Sequence, residues 1–562
     1  MALRHGGAIL AEQLKIQGVN RVFSVPGESF LAALDGLFES GIQNVVCRQE
    51  GGASMMAEAH GKLTGRPGVA FVTRGPGATN ASSGLHVAMQ DSTPMVLFVG
   101  QIARGHRDRE AFQEVDYRQL FGGLVKWVAE IDQTERLPEY IARAFQIAMS
   151  GRPGPVVLAL PEDMLSAVAE VADRPAAQVA RAMPAPDDVA QVVRMLETAK
   201  RPLVIAGGPG WSAQASVDLE RFAQRMDLPV AVPFRRQDYL NNDSPNYVGD
   251  LGVGMNPALA KLLQDADLLL VIGARVGDIL TNGYELLDPS NLGKILIHTH
   301  PSPDEPGHVY APDFAMACDS AGLVAALADA GTQAGAWADW RAQARADYEG
   351  WQQPRETPGP VKMEQVVSWL AEHLPHDAIL TNGAGNYAAF VHRYHRFRSY
   401  KTQVAPTSGS MGYGFPASIA AKLEHPDRTV ICFAGDGCFQ MTCNEMSTAI
   451  QHGAAVIVIV VNNGKYGTIR MHQEKTYPGR VSGTMIANPD FAALARAYGG
   501  TGQTVTRTED FAAAFNMAQK AGVLSVIELK LDDEVLSTGM TLSQTRELGE
   551  ASASFRGRTW SP

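Results

Sequence analysis

Apolar, β-branched runs recur along the chain, and most of them end at glycine or at a polar residue. Stretches with helical periodicity separate these runs, which lie at 22–25, 45–47, 69–73, 95–99, 156–159, 202–206, 268–273, 429–434 and 455–461. Short buried strands that alternate with helices are typical of parallel sheets covered by helices on both faces. The pattern therefore predicts an α/β fold made of doubly wound domains.

Two polar segments, at 174–188 and 347–360, interrupt this alternation. We interpret both as linkers, because they are rich in proline and charged residues. They divide the 562 residues into three domains and a Ser/Thr-rich tail, with predicted bounds of 1–165, 189–336, 361–532 and 533–562. A chain of this length suits three or four domains. The sequence leaves open whether the tail is mobile or folds over a site.

Charge and composition exclude several classes of protein. The net charge of −11 argues against a nucleic-acid partner. The apolar runs are shorter than a membrane span, and the N-terminus lacks the apolar core of a signal peptide, so we expect no membrane association. The five cysteines, at 47, 318, 432, 438 and 443, have no metal-binding spacing. We therefore expect a protein of the reducing cytoplasm.

The most specific chemical signal is a pair of polar segments that each follow a predicted buried strand. Gly435-Asp436-Gly437 follows the run 429–434, and Asn462-Asn463 follows the run 455–461. A predicted helix at 444–452 separates them, so both segments should lie at the carboxyl edge of one parallel sheet, where α/β proteins bind ligands. Carboxylate and carboxamide oxygens suit Mg²⁺, which commonly shares its coordination with phosphates. Either segment alone would indicate an ordinary turn or loop.

This pair resembles the diphosphate-and-metal motif of thiamine-diphosphate enzymes. Further segments match that family in order and spacing, and several resemble its acetolactate synthase branch: 24–29, 48–58, 72–80, 90–94, 111–114, 125–127 and 407–416. The resemblance implies a pyrimidine-binding first domain, a central nucleotide-binding-like domain and a third domain that binds thiamine diphosphate and Mg²⁺. It covers nearly the whole chain.

The resemblance also implies residue roles. Glu50 would hydrogen-bond the pyrimidine ring of the cofactor and promote its imino tautomer, while the Gly409 carbonyl would accept from the aminopyrimidine. Met411 would be the apolar side chain that forces the bent cofactor shape. Without the resemblance, Glu50 would be interpreted as a charge at a helix N-terminus. Met411 would be interpreted as ordinary core.

The third domain would supply the metal and diphosphate contacts. The implied Mg²⁺ ligands are Asp436, Asn463 and the backbone carbonyl of Lys465. The remaining residues predicted to bind the cofactor are Asn386, Tyr387, Gly435, Gly437, Cys438, Tyr466 and Gly467. For Asn386, an ordinary turn residue is an equally good interpretation.

Gly27 and Gln113 complete the predicted catalytic set with Glu50. The substrate is less well specified. His472 stands where biosynthetic members carry a tryptophan that favours 2-oxobutyrate as acceptor, so a role in isoleucine synthesis is not supported. Arg74 replaces a small residue and could pair with a substrate carboxylate, or could form a solvated or interdomain ion pair.

The central domain carries a G-x-G-x-x-A fingerprint, Gly208 to Ala213, after a predicted strand. Acetolactate synthases hold FAD in this domain as a structural group, whereas other relatives hold ADP or no nucleotide. Pro209 and Trp211 fit poorly in a tight pyrophosphate turn. The sequence leaves FAD as an open alternative.

We therefore expect a thiamine-diphosphate- and Mg²⁺-dependent carboligase or decarboxylase of 2-oxo acids, similar to acetolactate synthase. The alternatives are a decarboxylase or carbon–carbon lyase acting on a bulkier 2-oxo acid, acyloin or diketone, and a catalytically idle regulatory homologue.

In this family Glu50 and the diphosphate-binding loops come from different subunits. The resemblance therefore implies a homodimer or homotetramer with sites at subunit interfaces.

Overall fold

The computed structural model describes residues 3–330 and 337–555, with side chains of the last helix described to residue 552. The described chain forms two compact units. The first comprises Met1–Ala180 together with two later segments, Pro406–Pro426 and Thr442–Ala454. The second comprises Arg181–Ala405, Asp427–Met441 and Ala455–Pro562.

The first unit contains a six-stranded parallel sheet of order β3-β2-β4-β5-β7-β6 and a two-stranded antiparallel ribbon of β1 and β8. Its strands are β1 (Arg4–His5), β2 (Arg21–Ser24), β3 (Gln43–Val46), β4 (Gly68–Val72), β5 (Met95–Gln101), β6 (Trp127–Glu130), β7 (Pro155–Pro161) and β8 (Val168–Ala169). Its helices begin with α1 (Gly6–Ile16), α2 (Leu31–Phe38), α3 (Glu50–Thr64), α4 (Pro76–Asp91), α5 (Tyr117–Phe121), α6 (Leu137–Met149) and α7 (Glu162–Ser166).

The central sheet is also parallel, with the order β11-β10-β9-β12-β13-β14. Its strands are β9 (Pro202–Ala206), β10 (Val230–Pro233), β11 (Tyr247–Leu251), β12 (Leu268–Ile272), β13 (Ile295–His300) and β14 (Phe314–Ala317). The accompanying helices are α8 (Pro186–Thr198), α9 (Ala213–Met226), α10 (Pro257–Asp265), α11 (Ser320–Asp329) and α12 (Ala338–Trp351).

The third parallel sheet has the order β16-β15-β17-β18-β20-β19. Its strands are β15 (Ile379–Asn382), β16 (Gln403–Val404), β17 (Val430–Gly435), β18 (Ile457–Asn462), β19 (Thr501–Val505) and β20 (Ser525–Lys530). The helices along this part of the chain are α13 (Met363–His373), α14 (Tyr387–Tyr394), α15 (Gly414–Glu424), α16 (Asp436–Gln440), α17 (Met446–Gln451), α18 (Gly467–Thr476), α19 (Phe491–Ala497), α20 (Phe511–Ala521) and α21 (Leu542–Phe555). Of these, α15 and α17 belong to the first unit.

These sheets confirm the predicted fold class of three α/β domains with parallel sheets. Each sheet buries apolar strands, and β5, β12 and β18 are buried along their whole length, as expected when helices cover both faces. The domain boundaries at 165, 189, 336, 361 and 532 stay a prediction. Among the described residues, no helix is long and apolar enough to cross a membrane.

The strand orders locate the sites where ligands are expected. The first and third sheets have the same order when their strands are numbered from the start of each sheet, with the first strand between the second and the third. Strand order therefore reverses between β2 and β4, and again between β15 and β17. Doubly wound sheets bind ligands in the crevice at such a switch point, beyond the carboxyl ends of the strands.

Candidate active site

Asp436 directly follows the last residue of β17, at the switch point of the third sheet. Its side chain is buried, and its carboxylate accepts hydrogen bonds from Gly437 N at 2.8 Å, Gly464 N at 2.8 Å and Asn488 Nδ2 at 2.8 Å. Burial raises the pKa of the Asp436 carboxyl above its ordinary value, and the N–H donors oppose that shift. A bound divalent cation would favour the ionised carboxylate, so this environment fits a Mg²⁺ ligand.

Asn462 ends β18, the strand beside β17, and Gly435 pairs with Val461 in that ladder. The Asn463 side chain donates to Val535 O at 3.3 Å, and Lys465 Nζ donates to Asp533 O at 3.0 Å. Asp436, Asn463 and the backbone of Lys465 thus follow two adjacent strands, as predicted. Among the described residues, no group of three or more His, Cys, Asp or Glu side chains could hold a metal. The proposed donors are of another kind: one carboxylate, one carboxamide and one carbonyl.

Two tyrosines pack against the glycines that flank Asp436. A Cβ on Gly437 would lie 2.5 Å from the Tyr466 ring, and a Cβ on Gly435 would lie 3.0 Å from the Tyr387 ring. The Tyr387 hydroxyl donates to Cys438 Sγ at 3.4 Å. These glycines are therefore required for close packing of side chains, in addition to the approach of phosphates for which they were predicted.

Asn386 joins the same end of the sheet. Its backbone N–H donates to Thr468 Oγ1 at 3.0 Å, and the Thr468 hydroxyl donates to Asn386 Oδ1 at 3.0 Å. Thr468 lies on α18, which begins at Gly467. The predicted residues of the third domain are therefore gathered around the ends of β15, β17 and β18.

Asn488 was not predicted. Its amide donates to Asp436 Oδ2 at 2.8 Å and to Asn462 Oδ1 at 2.8 Å, so it joins the ends of β17 and β18. The residue stands two positions before the helix cap Asp490, and nothing in that local pattern indicates a contact with position 436. Only the folded chain shows this contact.

Glu50 is the first residue of α3, and Gln49 caps that helix by accepting from Gly52 N at 3.1 Å. Glu50 Oε2 accepts from Asn80 Nδ2 at 2.9 Å. Its other oxygen lies beside Gly77, where an added Cβ would approach it to 3.3 Å. The carboxyl group is thus held near the turn that starts α4, at the switch point of the first sheet.

Gly27 and Gln113 lie at the same switch point. A Cβ on Gly27 would lie 2.5 Å from Thr73 Cβ, and one on Gly75 would lie 3.0 Å from Gln113 O. Gln113 has a positive φ of 64°, and its Oε1 is buried without a hydrogen-bond partner. An orphan acceptor in this position is suited to a ligand donor.

Arg74 is buried and is neutralised by acidic side chains of its own unit. It donates to Glu28 Oε1 at 2.8 Å and to Glu162 Oε2 at 3.0 Å. The structure therefore shows an ion pair, as one of the two alternatives predicted, but Arg74 is buried and both partners lie in its own unit, so the pair is neither solvated nor interdomain.

The loop that carries Gly409 and Met411 belongs to the first unit. Thr407 N donates to Asp91 Oδ1 at 2.7 Å, and Lys62 Nζ contacts both Asp91 and Glu58, the latter at 3.2 Å. Gly409 has a positive φ of 68°, which favours glycine. Glu58, which shares α3 with Glu50, is part of this buried network.

The fingerprint of the central domain forms a closed turn. The Trp211 indole donates to Gly207 O at 2.7 Å, and the Tyr239 hydroxyl donates to Gly208 O at 2.7 Å. A Cβ on Gly208 would lie 1.7 Å from Gly273 O, so the turns after β9 and β12 touch each other. This turn lies at the switch point of the central sheet, and the close contact with Gly273 requires glycine at position 208.

His472 is exposed on α18, and helix α21 of the tail packs on the same helix. Arg546 forms two hydrogen bonds with the Glu474 carboxylate, each of 2.9 Å. The described part of the tail therefore folds over α18.

The predicted site residues fall into two groups. Glu50, Gly27, Gln113, Gly409 and Met411 belong to the first unit. The second unit holds Asn386, Tyr387, Gly435, Asp436, Gly437, Cys438, Asn463, Lys465, Tyr466 and Gly467.

Comparison with known proteins identifies the family of the chain. Three family models match: the N-terminal thiamine pyrophosphate binding domain at residues 4–120, the central domain at 189–327 and the C-terminal binding domain at 383–529. Acetolactate synthase isozyme 2 large subunit of Escherichia coli K12 is 30% identical, over 94% of this chain and 96% of the relative. The acetolactate synthase large subunit of Lactococcus lactis is 30% identical, over 88% of this chain and 87% of the relative. The mitochondrial acetolactate synthase catalytic subunit of Saccharomyces cerevisiae is 30% identical, over 94% of this chain and 81% of the relative. The chain therefore belongs to the thiamine pyrophosphate enzymes, in the group that contains the acetolactate synthase large subunits.

Proposed function

We propose that this thiamine pyrophosphate enzyme acts on 2-oxo acids and condenses two molecules of pyruvate to 2-acetolactate with release of CO₂. The observation that carries the proposal is the buried Asp436 carboxylate at the switch point of the third sheet, beside the Asn462–Asn463 end of β18. Relatives named acetolactate synthase, similar over nearly their whole length, support the choice of reaction.

The chain's own residues would divide the work as follows. Asp436, Asn463 and the Lys465 carbonyl would hold Mg²⁺, and the neighbouring residues around β15 and α18 would bind the diphosphate. When bound, thiamine diphosphate supplies an electron sink for the carbon that loses CO₂. Glu50 would hold a proton at the pyrimidine ring, and Met411 would set the cofactor's shape by its apolar bulk. Gln113 would direct its orphan amide oxygen towards a donor on the substrate.

A second candidate remains, because Arg74 is neutralised by Glu28 and Glu162 and so offers no spare charge to an acceptor's carboxylate. The alternative is a decarboxylase or carbon–carbon lyase acting on a bulkier 2-oxo acid, acyloin or diketone. His472 in place of the tryptophan of biosynthetic members is consistent with a different acceptor.

FAD stays an alternative in this proposal, because the Gly208–Ala213 fingerprint follows β9 at the switch point of the central sheet, whereas Pro209 and Trp211 fit poorly in a tight pyrophosphate turn. The proposal includes a homodimer or homotetramer in which the cofactor lies between Glu50 of one subunit and the diphosphate-binding loops of another. It places the enzyme in the cytoplasm, and the five cysteines, which form no disulfide among the described residues, are consistent with a reducing compartment.

The test is turnover of pyruvate by purified protein with Mg²⁺ and thiamine diphosphate, in the presence and in the absence of added FAD. CO₂, acetolactate and acetaldehyde are measured separately. Acetolactate supports the condensation, whereas CO₂ with acetaldehyde alone supports the decarboxylase. No reaction with pyruvate would contradict this substrate, and bulkier 2-oxo acids, acyloins and diketones would then be screened.

A further inference from the structure

Glu445 lies directly behind the start of the helix that carries Glu50. It is 0% exposed. Its Oε1 accepts from the backbone N–H of Arg48 at 3.1 Å and of Gln49 at 3.0 Å. These are the two residues that precede Glu50, so one buried carboxylate binds the backbone from which the Glu50 side chain projects.

Residues that follow Glu445 in the chain form further hydrogen bonds with Glu445 itself and with the segment that precedes α3. The Thr448 hydroxyl donates to Glu445 Oε2 at 2.6 Å, and Ser447 Oγ accepts from Arg48 Nε at 3.0 Å. At the other end of the segment, His452 Nε2 accepts from Val46 N at 3.0 Å. The segment 445–452 therefore holds the end of β3 and the start of α3 at several points.

The glycine at position 52 shows how closely this carboxylate approaches the helix. A Cβ there would lie 2.5 Å from Glu445 Oε1. Close approach places a negative charge at the positive end of α3 and satisfies backbone donors that precede the helix. The Gly51-Gly52 pair after Glu50 is therefore explained in part by a residue nearly four hundred positions later.

We propose that Glu445 is a positioning residue for Glu50, a role that rests on the proposed function of Glu50. Glu50 is then held from two directions, through its backbone by Glu445 and through its carboxylate by Asn80. A displacement of about 1 Å at a reacting group can lower a rate about 100-fold. Loss of the attachment should therefore slow the proton transfer that Glu50 assists, with little effect on the diphosphate end of the cofactor.

Two substitutions separate geometry from charge. Glu445→Ala removes the acceptor and leaves two backbone donors unsatisfied. Glu445→Gln keeps a carbonyl oxygen for Arg48 and Gln49, and the Thr448 hydroxyl can accept from the new amide. Glu364→Ala is the matched control, because Glu364 is also buried and accepts from Thr357 N at 2.8 Å and from the Thr357 hydroxyl at 2.8 Å, outside the site.

The main measurement is the rate of deuterium exchange at C2 of bound thiamine diphosphate, which requires no substrate. Cofactor affinity by calorimetry and amide exchange of residues 46–52 without cofactor are measured in parallel. We expect Glu445→Ala to exchange the C2 proton about 100-fold more slowly, with faster amide exchange at 46–52 and affinity changed only a few-fold. Glu445→Gln and Glu364→Ala should stay within a few-fold of the wild type at C2.

Unchanged C2 exchange in Glu445→Ala would overturn the proposal, as would an equal loss in Glu364→Ala. Failure of the proposed function gives a different result. In that case the wild-type protein itself would bind no thiamine diphosphate, or would bind it without C2 exchange.

Discussion

At the scale of single residues, the candidate site depends on two carboxylates in different surroundings. Asp436 is buried among N–H donors at the end of β17, whereas Glu50 is half-buried at the start of α3 and is held by Asn80. In the proposed function, the first would bind a cation and the second would hold a proton on a cofactor ring.

Glu50→Gln should retain thiamine diphosphate and lose most turnover. The carboxamide can keep the bond with Asn80 but cannot exchange a proton, and general acid–base groups contribute about 10²- to 10⁴-fold. Steady-state turnover and calorimetric affinity are compared for this variant and for Glu364→Gln. Full activity in the Glu50 variant would reject its assignment.

Asp436→Ala should abolish Mg²⁺-dependent binding of thiamine diphosphate, because the proposed site has no other carboxylate among its ligands. Calorimetry with and without Mg²⁺ provides the measurement. Asp238→Ala is a suitable control, since Asp238 is also buried and accepts from the backbone of Thr402 and Gln403. Equal affinity in the wild type and the Asp436 variant would contradict the metal site.

His395 is buried and should make stability fall in acid. Burial lowers the pKa of His395 to about 3, with Arg398 and Arg396 acting in the same direction. In the unfolded chain, His395 has the ordinary pKa of about 6.5. Below that pH, the unfolded chain therefore binds a proton that the folded chain does not bind. Stability is therefore greatest above pH ~6.5 and falls by about 1.4 kcal/mol per pH unit below it.

The measurement is the free energy of unfolding in urea at several pH values between 7.5 and 5. His395→Gln should lose less stability than the wild type over this range. His376→Gln, at an exposed position, serves as control. Parallel pH profiles for the wild type and His395→Gln would contradict the prediction.

At the scale of elements, helix α21 of the tail packs on helix α18. Glu474 is buried between Arg470 and Arg546, and these arginines lower its pKa to about 2. A Cβ on Gly549 would lie 2.1 Å from Glu474 O, so the two helices pack closely. The tail is thus attached to the helix that carries His472.

Arg546→Ala should loosen α21 from α18. It removes the two hydrogen bonds between the Arg546 guanidinium and the Glu474 carboxylate. We expect the free energy of local opening of α21 to fall by about 1–3 kcal/mol. Amide hydrogen exchange of residues 542–552 measures that free energy. Arg507→Ala, which removes an exposed ion pair, should leave it unchanged. Equal protection in both variants would show that Arg546 does not hold the tail.

At the scale of the whole molecule, the proposed site requires two subunits. If Glu50 acts with the partner subunit's Asp436, a mixed dimer of Glu50→Gln and Asp436→Ala chains contains one intact site and one doubly defective site. Random mixing makes half of the dimers mixed, so about a quarter of the sites should recover.

The two inactive variants are unfolded together, refolded and assayed, with each variant refolded alone as control. Recovery of activity supports a shared site. If both residues acted within one subunit, the mixture would stay inactive, and this part of the proposal would be wrong.

The local pattern alone determined much of this protein. Apolar runs predicted nine of the eighteen strands in the three parallel sheets, because the burial of a strand is recorded within a few neighbouring positions. The polar residues after two of those runs indicated that Asp436 and Asn463 follow neighbouring strands, whereas Gly27 was implied only by the family resemblance. The roles of these residues stay predictions that the proposed variants test.

Only the tertiary structure decided which distant side chains meet. Asn488 on Asp436, Glu445 on the start of α3 and the acidic partners of Arg74 are contacts between distant parts of the chain. No local periodicity encodes them. The closed turn at Gly208 shows the same limit, because the fingerprint does not record its contact with Gly273, more than sixty positions later. Packing fixed these contacts, since buried polar groups must find their partners wherever the fold brings them.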